Sequence, residues 1–143
     1  MIAIDTNILV YAHRRDAEFH DAAKARVSAQ LLSSSFTGLP WPCLHEFLST
    51  VTRPNRFPSE STPIEQAFEQ LDAWLEIPNL RILGESPNHL DTLRHLAVSG
   101  KIRGPMIHDA RIASICLTNR VDALWTADRD FSRFKSLHTT NPL

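Results

Sequence analysis

Asp5 is a carboxylate set between two apolar runs, Met1-Ile2-Ala3-Ile4 before it and Ile8-Leu9-Val10-Tyr11 after it. A buried acid needs hydrogen-bond partners, and the adjacent Thr6 and Asn7 are able to supply them. Asp109 is a second anomaly: on a helix starting near it, the residues at i+3, i+4 and i+7 are Ile112, Ala113 and Cys116, so the acid shares the apolar face. Taken alone it also suits an ordinary helix N-cap or first turn. Glu46 points away from the core stripe Leu44, Phe47, Leu48 and Val51, beside Ser49, Thr50 and Arg53. That is the position of a solvated residue, unless the polar face of its helix is turned into a crevice. Asp128 and Asp130 lie in "WTADRDF", which reads equally well as a polar turn.

If these acids converge, each like-charged pair at ~5 Å and an effective dielectric of about 20 costs roughly 3 kcal/mol, so the site takes up protons or cations. All the candidate ligands are hard oxygens. No thiolate is suitably spaced, and the nearest histidine, His108, adjoins only one acid. Such a donor set favours Mg²⁺ or Mn²⁺ over Zn²⁺.

Positioning these acids requires strands and helices in alternation. Ile2 to Ile4 reads as a strand, Thr6 to His13 and Phe19 to Ser33 as helices, Phe36 to Leu39 as a strand and Pro42 to Val51 as a helix. Thr62-Pro63-Ile64-Glu65 offers a capping box for a helix running to Glu76. Arg81 to Leu83 is a short strand, and Ser86-Pro87 starts a helix carrying Leu90, Leu93, Leu96 and Ala97. The loop from Gly100 to Pro105 leads to a helix at His108 to Thr118, a strand at Ala123 to Thr126 and an edge strand at Leu137 to Thr139. This order implies an α/β fold, with a parallel sheet and helices on both faces. In such sheets, sites form beyond the carboxyl ends of strands, where Asp5 and Asp128 both fall.

The chain has 143 residues, 43% of them apolar, and only four glycines, so one globular domain over 1–143 is expected, with no disulfide framework. Cys43 and Cys116 read as buried small hydrophobes. No apolar stretch is long enough to span a bilayer, and the first residues lack a secretory signal pattern. A cytoplasmic protein is the expectation. A net charge of −1 means that any nucleic acid must be held by local basic clusters.

The segments "IDTNILVYA", "HEFL", "GPMIHDARIASICL" and "WTADRDFSRF", in this order, resemble the PIN-domain ribonucleases, specifically the VapC-type toxins of toxin–antitoxin pairs. The resemblance runs from residue 2 to about residue 134, although the middle of the chain, from about Pro54 to Gly100, carries no transferable motif. It implies a PIN-like three-layer α/β/α fold with a central parallel sheet of about five strands. Residue by residue, it places the family's acidic quartet on Asp5, Glu46, Asp109 and Asp128, with Thr6, Asn7 and Thr126 supporting and Asp130 an additional acid of lower rank. Asp5 and Asp109 are the first choices as direct metal ligands. It further implies a metal-dependent endoribonuclease that hydrolyses RNA in line, leaving a 5′-phosphate and a 3′-hydroxyl, and so inhibits translation and growth. Its implied partners are an RNA substrate, a VapB-type antitoxin and a second copy of the chain, with DNA reached only through the antitoxin.

Candidate RNA contacts are Lys101 and Arg103, Arg53 and Arg56, and, more weakly, Arg14, Arg15 and Arg111. The Lys101–Arg103 loop ranks first, because it leads into the helix bearing Asp109. Phe57 and Trp41 are candidates for base stacking, with core packing the favoured place for Trp41, and Trp125 reads as core. The competing readings are a catalytically silent PIN-fold interaction protein and a small phosphohydrolase. A dehalogenase-like phosphatase needs an acid two residues after the first, where this chain has Asn7, and a response regulator needs an acid pair at the first strand end.

Overall fold

Three apolar residues of β1 (Ile2–Ile4) begin the sheet, and the next residue, Asp5, ends the strand by capping a helix. The computed structural model describes residues 1–143. Along the chain follow α1 (Thr6–His13), α2 (His20–Leu31), β2 (Thr37–Pro40), α3 (Trp41–Val51), α4 (Ile64–Leu75) and β3 (Leu80–Leu83). The second half supplies α5 (His89–Ser99), α6 (Ile107–Thr118), β4 (Ala123–Trp125) and β5 (Thr139–Thr140), with 3₁₀ turns at Gly104–Met106 and Arg129–Arg133.

All strand pairs are parallel, in the order β3-β2-β1-β4-β5. The chain moves outward from β1 through β2 to β3, then returns to lay β4 on the other side of β1. A crevice therefore opens beyond the carboxyl ends of β1 and β4, where the strand order reverses.

The two faces of the sheet carry separate cores, because successive side chains of a strand alternate in direction. Ile4, Leu39 and Leu80 pack with α1 to α4 around Phe47, Val51, Leu71 and Trp74. Ala3, Leu83 and Leu124 pack with α5, α6 and the closing turn around Ile115, Phe131 and Phe134. Gly38 leaves room for this second core: a Cβ there would lie 2.6 Å from Leu83 Cδ1, so the leucine would have to move.

The elements fall within about two residues of where sequence periodicity puts them, and four differences have a physical cause. Thr62 does not cap α4; its N-cap is Pro63, which makes no side-chain cap bond, because the Thr62 hydroxyl is engaged by Arg14 Nη1 at 3.1 Å and His13 Nε2 at 3.1 Å. Helix α5 starts at His89, after a turn closed by His89 N–H donating to Ser86 O. The last strand is Thr139–Thr140, since Leu137 is drawn into the core. Trp41 is 46% exposed instead of core, because it is the first residue of α3 at the rim of the sheet, stacked on His45 and lying over Gly84. Trp125 is partly buried against the first core, and both cysteines are buried and free.

Candidate active site

Asp5 is only 4% exposed, yet its carboxylate accepts four hydrogen bonds. Oδ1 takes Thr6 N–H at 2.8 Å and the Cys43 thiol at 3.7 Å; Oδ2 takes Asn7 Nδ2 at 2.7 Å and the Thr126 hydroxyl at 2.6 Å. The backbone itself joins the two strand ends, since Asp5 N–H donates to Trp125 O at 3.0 Å. Each supporting residue then holds something else. Thr126 Oγ1 accepts from Asp128 N–H at 3.0 Å, and Asn7 Oδ1 accepts from Ala127 N–H at 3.1 Å, which ties the turn after β4 to the start of α1. Thr6 donates its hydroxyl to Glu46 Oε2 at 2.8 Å.

That last bond explains how a residue facing away from its helix's core stripe enters the crevice. Helix α3 packs its apolar face on the first core while its polar edge, carrying Glu46 and Thr50, overlooks the end of β1. Asp109 arrives in the first turn of α6, half-buried, with Ile112, Ala113 and Cys116 of the same face anchored in the second core. Asp128 caps the 3₁₀ turn, its Oδ1 accepting from Asp130 N–H at 2.8 Å.

All four acids line one pocket of about 230 Å³, together with Thr6, Asn7, Tyr11 and Arg56. An adjoining groove of about 650 Å³ shares Glu46 and Asp109 with it and adds Asp130, His45 and His108. Asp130 thus borders the groove and not the pocket.

The electrostatics follow from burial and crowding. Desolvation pushes the Asp5 carboxyl up to about 6, with the Thr126 and Thr6 bonds opposing and the charges of Glu46 and Asp109 adding. Asp109 is likewise pushed up to about 6, first by burial and then by Asp128, Glu46 and Asp130. Burial and the charge of Asp5 raise the Cys43 thiol well above its usual range, so it remains an S–H donor to Asp5.

No three His, Cys, Asp or Glu side chains close around one point tightly enough to hold an ion by themselves. The donor set nevertheless suits Mg²⁺ or Mn²⁺, which bind through one or two carboxylates and keep several waters or substrate oxygens. It does not suit an ion that needs a complete protein cage, such as structural zinc.

The cationic residues divide differently from the sequence ranking. Arg56 is on the wall of the acid pocket. Lys101 and Arg103 border a separate cavity with Arg133, which meets the groove only at Met106. Arg53 is exposed just after α3. Arg14 is no free cation: it is buried and paired with Asp16 at 2.8 Å. Arg111 pairs with Glu85 at 2.5 Å. Phe57 is covered by the guanidinium of Arg14, 4.3 Å from its ring, with Arg56 at 5.6 Å, so its face is already occupied. Tyr11 and Thr50 of the pocket wall were not singled out by sequence; as helical residues one turn from Asn7 and Glu46, they were recoverable from periodicity.

A family model described as "PIN domain" matches residues 2–137. Among curated proteins, Ribonuclease VapC48 of Mycobacterium tuberculosis is 30% identical over 138 residues, covering 96% of this chain and 94% of its own. Ribonuclease VapC43 of the same organism is 33% identical over 144 residues, covering 100% and 96%. Among solved structures, the crystal structure of VapBC2 from Rickettsia felis bound to a DNA fragment from their promoter superposes with a TM-score of 0.71, covering 98% of each chain. At 22% identity, that likeness concerns the fold.

Proposed function

The chain belongs to the PIN-domain family, alongside the VapC ribonucleases, and from that premise we propose that it is a metal-dependent endoribonuclease acting as the toxin of a VapBC-type pair. The observation that carries the reading is the buried Asp5, oriented by Thr6, Asn7 and Thr126 and facing Glu46, Asp109 and Asp128 in one pocket. A structural carboxylate with four partners needs no further acids around it, and four crowded acids are tolerated where a cation resides.

In this reading Asp5 and Asp109 hold Mg²⁺ or Mn²⁺, while Glu46 and Asp128 bind a second ion or orient water. When bound, the ion supplies charge neutralisation and an activated water for attack on a phosphodiester. The remaining work belongs to the protein. Thr126, Asn7 and the Thr6 N–H keep Asp5 in one orientation. Thr6 aims Glu46, and the Asp128 cap fixes the turn that closes the pocket. Arg56 offers a cation to a phosphate entering beside Glu46.

The same reading gives the chain a VapB-type antitoxin as its neutraliser, a homodimeric state, a cytoplasmic setting and contact with DNA only through the antitoxin. The VapBC2 complex on its promoter fragment supports that arrangement through shared fold. No helix of the chain is long and apolar enough to cross a membrane.

RNA cleavage in Mg²⁺ or Mn²⁺ tests the proposal. Wild type is expected to cleave and Asp109→Asn to lose roughly 10³-fold in rate while keeping its fold, the scale of several kcal/mol of lost transition-state stabilisation. Equal cleavage by both would sink the metal-site assignment. A folded wild type that cleaves no RNA would favour an interaction protein.

A further inference from the structure

Helix α1 borders two cavities. Val10 and Tyr11 line the acid pocket, whereas Ala12 and His13 line a second cavity of about 490 Å³ at the helix's C-terminal end. Its walls are polar: His13, Arg15, His20, Lys24, Gln66 and Gln70 face it, and Ala12 is its one apolar residue.

The charges of this cavity are unbalanced. Its single acid, Asp16, is saturated by Arg14 Nε and Nη2 at 2.9 and 2.8 Å and by the Ser59 N–H and hydroxyl at 3.0 and 2.6 Å. Arg15 and Lys24 are exposed and form no ion pair, although Asp21 precedes Lys24 by one turn on α2. His20 is the first residue of α2 and Gln66 the third of α4, so two helix N-termini bring positive ends to a space that also receives the C-terminal, negative end of α1. The cavity presents donors and cations with no apolar seat for a side chain.

One segment joins it to the acid pocket. Arg56 lines the pocket, Ser59 lines the cavity, and between them Phe57 is held against both Arg14 and Arg56. Three residues of chain span at most about 10 Å. The cavity and the acid pocket are thus neighbours, bordered by the same helix α1 and the same segment from Arg56 to Ser59.

We propose that this second cavity binds a backbone phosphate of the RNA, away from the bond being cut, through Arg15 and Lys24 with the side-chain amides of Gln66 and Gln70. The proposal rests on the ribonuclease reading and deepens it: the preferred substrate is a single strand long enough to occupy both cavities.

The test uses full-length Asp109→Asn protein, so that RNA is bound without being cut, and measures affinity for single-stranded RNA of about 4 and about 12 nucleotides across a salt series. The longer RNA is expected to bind more tightly. Arg15→Glu with Lys24→Glu, both at exposed positions, should weaken it roughly ten-fold and reduce the slope of log Kd against log salt by about 1.4, two phosphate contacts at about 0.7 each. Unchanged affinity and slope in this variant, with wild type still cleaving RNA, overturns the proposal and leaves the ribonuclease reading standing. Loss of antitoxin binding with RNA affinity untouched also overturns it, because the cavity is then a protein site. A wild type that neither binds nor cuts RNA overturns both.

Discussion

Asp5 and Asp109 release their protons near 6, above the usual carboxylate range, because burial and neighbouring acids penalise their charged forms. An acid whose pKa is raised by folding holds its proton more tightly in the folded chain. Its stabilising effect is complete below the unfolded value of about 3.9 and is lost as pH rises through about 6. Asp16, held low by Arg14 and Ser59, and Glu85, held low by Arg111, act in the opposite sense, and their contribution disappears as pH falls toward and below about 4; His13, whose charged form burial disfavours, also opposes as pH falls below about 6.5, one group against two. The metal-free protein is therefore expected to melt at a higher temperature at about pH 5 than at about pH 7.5. Mg²⁺ or Mn²⁺ should raise the melting temperature more at the higher pH, where protons no longer compete for the same oxygens. Thermal scans in chelator and in excess metal check this; a metal-free protein most stable at the higher pH would contradict it.

At the scale of elements, the decisive feature is how non-adjacent segments are fastened. The 59–62 segment is held by Arg14, whose guanidinium donates to Glu60 O at 2.9 Å, Thr62 Oγ1 at 3.1 Å and Ser59 Oγ at 2.9 Å besides pairing with Asp16. The Thr62 hydroxyl serves this network in place of a cap on α4. Replacing Arg14 by Met keeps much of the apolar stem and removes the bonds, at an expected cost of about 2 kcal/mol in urea unfolding. Because the segment bearing Arg56 is held from the same guanidinium, the variant should also raise the KM for RNA more than it lowers kcat. A change in kcat alone would detach Arg56 from substrate binding.

For the whole molecule, a near-neutral chain must recruit RNA through local charge, and an unrestrained nuclease harms its host. Expression of the chain alone is expected to arrest bacterial growth, and Asp5→Asn or co-expression of its antitoxin to relieve the arrest. Growth curves with matched protein levels decide it. Abundant wild-type protein without growth inhibition would count against the toxin role.

The sequence by itself determined the alternation of strands and helices, because apolar periodicity and the breaks at Pro78 and Gly100 are local properties of the chain. It also marked Asp5, since a carboxylate between two buried runs is anomalous without reference to anything distant. Asp128 was legible from its place beyond a strand end, whereas Glu46 was legible only through the resemblance, for alone it reads as a solvated residue. Tertiary structure decided that β4 lies beside β1, that the polar edge of α3 overlooks their ends, and that Thr6, Asn7 and Thr126 bind one carboxylate. It also separated Arg56, on the pocket wall, from Arg14 and Arg111, which are spent on ion pairs. The physical reason is that periodicity reports which side of an element is buried, while the partner of a charge is chosen by residues tens of positions away.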